Sequence, residues 1–167
     1  MSNLKLSNGE VHPKLTKLEE YIKVNKLPFI HKKKVKYDKS QYGSTHFLID
    51  SKGKFHIRTW FSQGKKFDGD SFGFVAVLLN ENKERLYVTK FRKGINGRGT
   101  GSTKVVRMED STNLPEWAVD DVKYVYVKFF KYQKRDDAKI WAGIGDLIRR
   151  FLEANSDEPT EGAKAGA

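Results

Sequence analysis

The run Phe-Gly-Phe-Val-Ala-Val-Leu-Leu at residues 72–79 constrains this chain more than any other stretch. A half-buried strand alternates apolar with polar side chains. A continuous run with β-branched and aromatic residues suits a strand buried on both faces. Residues 71–80 are therefore predicted as the central strand of a sheet. Other strand-like runs surround it. Residues 44–50 and 54–62 are separated by Ser51-Lys52-Gly53, a good hairpin turn. Residues 84–92 follow the polar turn Asn80-Glu81-Asn82-Lys83. Residues 103–108 make a fifth strand. Residues 122–132, dense in β-branched and aromatic side chains, make a long sixth. Between these two, residues 109–121 read as a polar connection holding one proline and one tryptophan.

The ends of the chain read differently. Residues 1–12 show no periodicity and are expected to form a flexible arm. Pro13 suits the first turn of a helix, and Leu15, Leu18 and Ile22 share one helical face. That helix should stop before Pro28. A second, amphipathic helix is predicted over residues 136–154. Asp136 and Asp137 suit its N-terminus, and Ile140, Ile144, Leu147, Ile148, Phe151 and Leu152 form its apolar stripe, with Trp141 at the edge. Residues 155–167, acidic and then small, lack the apolar content to fold and read as a disordered tail. The expected fold is α+β, a curved antiparallel sheet of about six strands with a helix at each end. Residues 13–154 would form a single domain.

Charge narrows the function classes. The chain has 167 residues, a net charge of +11 and no cysteine. Disulfides and thiolate metal sites are excluded. A cation surplus on a chain rich enough in aromatics to fold suits nucleic acid, an anionic surface or an acidic protein partner. No apolar run is long enough to span a bilayer, and residues 1–10 lack a secretory signal. A cytoplasmic setting without membrane insertion is the simplest expectation.

Four stretches are candidates for binding. Residues 90–107 carry Lys90, Arg92, Lys93, Arg98, Lys104 and Arg107 without an acid, and Gly94, Gly97, Gly99 and Gly101 lie among them. This reads as a mobile cationic loop or a long hairpin tip that closes on phosphates. It is not a phosphate-binding loop of the Walker type, because Thr100 rather than lysine follows the Gly94–Gly99 spacing. In the strand over 54–62, alternation puts Phe55, Ile57, Thr59 and Phe61 on a core face. Lys54, His56, Arg58 and Trp60 fall on the other, where cations and a ring can hold phosphates and stack a base. In the strand over 122–132, Val125, Val127 and Phe129 make the core face, with Tyr124, Tyr126 and Lys128 facing outward. The charge run at residues 31–39 is either a solvated linker or a basic strap, with Tyr37 and Tyr42 nearby.

Catalysis finds less support. His46 and His56 can approach each other across the first hairpin, and such a pair with lysine can cleave RNA. Asp50, Asp68, Asp70 and Glu84 are scattered over turns without two-metal spacing. No metal or cofactor is expected.

A basic antiparallel sheet followed by an amphipathic helix resembles the Whirly and PC4-like family of single-strand binders. The basic, cysteine-free chain with its acidic, small-residue tail is also similar to RNA-binding proteins of the nucleus-like shell of jumbo phages. These resemblances rest on element order and charge over residues 44–154. They imply a sequence-tolerant binder of RNA or single-stranded DNA, with RNA favoured, acting as a homo-oligomer. The alternatives are a small metal-independent ribonuclease or toxin, dependent on His46 or His56, and a phage protein that binds an acidic host protein.

Overall fold

The apolar run does become a central strand. β5, Asp70–Leu79, is buried at every residue. The computed structural model describes residues 18–156. The predicted arm, the start of the predicted N-terminal helix and nearly all of the predicted tail lie outside them. β1 is Glu19–Lys23, β2 Phe29–Asp38, β3 Gln41–Ile49, β4 Lys54–Gln63, β6 Arg85–Ile95, β7 Lys104–Asn113 and β8 Tyr124–Gln133. The helices are α1, Glu116–Val119, and α2, Asp137–Ser156.

These strands form two antiparallel four-stranded sheets, ordered β1-β8-β5-β6 and β2-β3-β4-β7. The sheets face each other across one core. The first contributes Phe72, Phe74, Leu78, Val125, Val127 and Phe129, and the second contributes Phe47, Ile49, Phe55, Ile57 and Phe61. The other face of the first sheet is also covered. Val75, Val77 and Leu79 of β5 pack with Tyr126 and Phe130 against Ile140, Ile144 and Leu147 of α2. Residues 72–79 of β5 are thus apolar throughout because they lie in the middle layer of three. Gly73 belongs to this arrangement: a Cβ there would lie 2.4 Å from the Ile140 side chain. Only glycine lets the helix come so close to the strand.

Polar contacts fasten the margins of the sandwich. The hydroxyls of Tyr87 and Thr89 on β6 donate to Asp110 on β7, at 2.8 and 2.7 Å. Burial alone would raise the Asp110 carboxyl, but these hydroxyls and the Ser111 N–H outweigh it and hold the pKa below its usual value. Burial and then Asp110 push the Tyr87 phenol up to about 12. On the opposite side Lys33 of β2 pairs with Glu20 of β1. At one end Asp70, only 3% exposed, accepts from the Gln41 and Gln63 amides and lies 3.4 Å from the Lys65 ammonium. Lys131 donates to Gln41 at 2.9 Å. This network ties β3, β4, β5 and β8 together inside the sandwich, where each group needs its partner.

Several expectations are corrected. Residues 19–23 form a strand, where a helix was predicted. Ile22 and Val24 alternate into the core at a period of two, and Tyr21 and Lys23 face away. The charge run at residues 31–39 is not a linker: residues 31–38 make up most of β2. Six strands become eight, and one curved sheet becomes two. The polar connection at residues 109–121 instead begins with the second half of β7 and ends in α1. The terminal helix matches its prediction closely, starting at Asp137 after a 3-10 turn at Lys134–Asp136. Among the described residues no helix is long and apolar enough to cross a membrane.

Candidate nucleic-acid interface

Among the described residues, no helix covers the outer face of the second sheet. Strand pairing fixes which residues stand there, because neighbours across a ladder point the same way. One row across the sheet is Lys32, His46, Arg58 and Glu109. The next is Lys34, Ser44, Trp60 and Arg107, and beyond it Lys36, Tyr42, Ser62 and Val105. On the other side of the first row stand Ile30, Leu48, His56 and Ser111, and Lys54 lies at the far end of β4. Cations from three strands therefore share one surface, and Glu109 is the carboxylate among the outward strand positions.

Glu109 engages part of that charge. Its carboxylate accepts from Arg58 Nε at 3.0 Å and lies 3.8 Å from His56 Nε2. Lys34 and Lys36 lie over the Tyr42 ring, at 4.5 and 5.7 Å from its centroid. His46 meets the Trp60 ring edge-on at 4.7 Å. Burial, and then the charges of Lys32 and Arg58, lower the His46 pKa. Lys32 and Arg58 flank His46 in the same cross-strand row. His46 and His56 share the face at diagonal positions of the β3–β4 ladder. Among the described residues no group of three or more His, Asp or Glu side chains could hold a metal.

The residues singled out from the sequence divide between opposite sides of the molecule. Lys54, His56, Arg58, Trp60 and Arg107 gather on the open face. Lys104 is exposed at the start of β7, beside that face. Lys90, Arg92, Lys93, Tyr124, Tyr126 and Lys128 belong to the helix-covered sheet. The expectation that Tyr124, Tyr126 and Lys128 face outward is corrected: that face lies under α2. Tyr126 is 4% exposed, donates to Glu19 at 2.6 Å and packs edge-on against Phe151. Burial, then Glu19, raise its pKa far above that of a free phenol. Tyr124 is half-buried against the same cluster, and Lys128 lies 3.7 Å from Glu19. Tyr126 therefore offers no open ring face for a base.

The glycine-rich stretch is also rearranged. It is not a hairpin tip. Residues 90–95 belong to β6, residues 104–107 belong to β7, and the loop between them crosses from one sheet to the other. Lys90 and Arg92 lie over the Trp141 ring of α2, at 5.0 and 4.6 Å, and Arg92 pairs with Asp137 at 2.8 Å. Arg98 turns inward on its surroundings, donating to the carbonyls of Gly64 at 3.0 Å and Gly101 at 2.9 Å. The loop backbone pairs with residues 65 and 66, and a Cβ on Gly97 would lie 2.6 Å from the Phe67 backbone. This glycine thus permits loop-on-loop packing. Lys93 is exposed on the edge strand.

The sequence reading placed Tyr42 beside the charge run but missed that the run is a strand, with Lys32, Lys34 and Lys36 on its outward side. The available signal was Val35 and Tyr37 alternating with those lysines.

No family profile matches this chain, and no curated protein matches it. Among solved structures it is similar to the enzymatically active domain of bacteriophage CBA120 tailspike protein 4. The identity is 9% and the TM-score 0.22, over 78% of this chain and 19% of that one. It is also similar to the module TmCBM61 in complex with β-1,4-galactotriose, at 10% identity and a TM-score of 0.22. That match covers 80% of this chain and 99% of the module. The chain thus spans about a fifth of the tailspike domain's length. At such TM-scores neither likeness carries an argument.

Proposed function

We propose that the open face of the β2-β3-β4-β7 sheet binds single-stranded nucleic acid, RNA included, with little regard to sequence. One observation carries the reading: outward cations on β2, β4 and β7 surround the Tyr42, His46 and Trp60 rings on a face that no helix among the described residues covers. Lysine and arginine meet phosphates of any sequence, and a ring stacks any unpaired base. A lysine-rich edge strand also discourages edge-to-edge pairing, but that role does not call for aromatic side chains behind the lysines. Of the resemblance to the Whirly and PC4-like family, this reading keeps single-strand binding and drops the single curved sheet.

The test is a side-by-side titration with RNA, single-stranded DNA and duplex of matched length at matched salt. The single strands are expected to bind more tightly, because stacked duplex bases offer no face to Trp60. Equal affinity for duplex would reduce the protein to a nonspecific electrostatic binder. Strand cleavage that disappears in His46→Ala or His56→Ala while binding survives would put the ribonuclease alternative first.

A further inference from the structure

The open face holds a concavity of about 320 Å³ at the end where β4 finishes and β7 begins. Its walls follow from a checkerboard in the β3–β4 ladder. Tyr42 pairs with Ser62, and Ser44 pairs with Trp60. Two rings therefore stand at opposite corners of a square, and two hydroxymethyl groups occupy the others. The small corners leave a depression that the rings overlook. Val105, 59% exposed, borders it on the β7 side, and Lys34 borders it on the β2 side.

We propose that this slot takes one unpaired nucleobase, with Lys34 and Arg107 meeting the phosphates on either side of it. The inference rests on the proposed function and deepens it, since it says where on the face a base is held. Size is the first argument: the volume is at the small end for ligand cavities, suited to one ring system. Chemistry is the second. The lining offers aromatic surface together with the Ser44 and Ser62 hydroxyls, which can each donate or accept. Such a lining holds a flat heterocycle without demanding one base edge. Placement is the third. Lys34 and Arg107 end the same row that contains Ser44 and Trp60, so a strand running across the sheet meets a cation before and after the slot. The Tyr42 ring beneath Lys34 keeps that ammonium beside the opening.

The test compares a short oligothymidylate with an abasic chain of the same length, which keeps the phosphates and lacks the bases. The wild-type protein is expected to prefer the thymidylate by roughly 5- to 150-fold, the range for one stacked base. In Ser62→Leu, which fills the slot without altering charge, the ratio of the two affinities should fall toward one. Trp60→Ala should lower the same ratio, and it covers the case in which the leucine variant does not fold. A wild-type ratio near one overturns the slot but leaves the cationic face standing. A high ratio that neither variant moves places the base elsewhere and also overturns it. Failure of both oligomers to bind removes the proposed function, and the slot with it. Displacement of the thymidylate by a neutral trisaccharide would reassign the slot to a sugar ring.

Discussion

Replacing Lys32, Lys34, Lys36 and Arg107 together with Gln is expected to weaken binding to every single-stranded sequence alike. Each phosphate contact on a single strand contributes roughly 0.7 to the slope of log affinity against log salt. Losing four contacts should therefore lower the slope by up to about 3 units. The same relation predicts an affinity loss of a few hundred-fold at about 0.1 M salt, shrinking as salt rises toward about 1 M. These four are chosen because they stand on the open face, whereas Arg58 already donates to Glu109. Glutamine keeps a polar side chain at each position, so the strands should remain intact. A control replaces Lys90 and Lys93 with Gln on the helix-covered sheet and should leave the slope nearly unchanged. Salt titrations of the three proteins, with thermal melts to confirm folding, check the prediction. A quadruple variant that keeps both affinity and slope would show that these four side chains make no phosphate contacts.

The second large effect concerns stability. Phe74→Ala is expected to destabilise the protein by about 3–5 kcal/mol, the usual cost of emptying a buried phenylalanine site. Phe74 is fully buried in the middle layer, stacked 6.2 Å from Phe91 and tilted 4.8 Å from Phe129. Its neighbours lie on β6 and β8, each fixed in the ladder on either side of β5, so they have little freedom to collapse into the void. Total stability for a domain is only about 5–15 kcal/mol. The thermal midpoint should fall by roughly 6–20 °C. A loss below about 1 kcal/mol would mean that this region is not packed as described.

The sequence was legible where a pattern depends on one strand alone. Residues 72–79 lack polar interruption, and the chain places them between two layers. Phe55, Ile57 and Phe61 alternate with Lys54, His56, Arg58 and Trp60, and that face assignment stands. α2 was also legible, because its apolar stripe and its acidic start agree. The failures have physical causes. β2 carries Lys33 on its inward side, and the charge breaks the apolar alternation that Val35 and Phe29 would otherwise show. Glu20, on a strand thirteen residues back, makes that lysine tolerable, and such a partner cannot be read locally. β1 is short enough that Leu18 and Ile22 fit a helical spacing as well as Ile22 and Val24 fit a strand. Tyr126 shows a further limit. Alternation correctly set it opposite Val125 and Val127, but a strand's period tells which face a residue takes and not what lies above that face. The division into two sheets is likewise non-local: nothing within residues 96–103 announces that the chain leaves one sheet for the other.

The central claim is that the strand is bound on the open face. The chain has three tryptophans, each in a different region. Trp60 stands on the open face, Trp117 lies exposed on α1, and Trp141 lies on α2 beneath Lys90 and Arg92. Their indole N–H signals in a nitrogen-15 correlation spectrum serve as three reporters. Titration with a short single-stranded oligonucleotide should shift the Trp60 signal strongly and leave those of Trp117 and Trp141 in place. A shift confined to Trp141 or Trp117, with Trp60 unmoved at saturation, would contradict the account and move the interface to another side of the molecule.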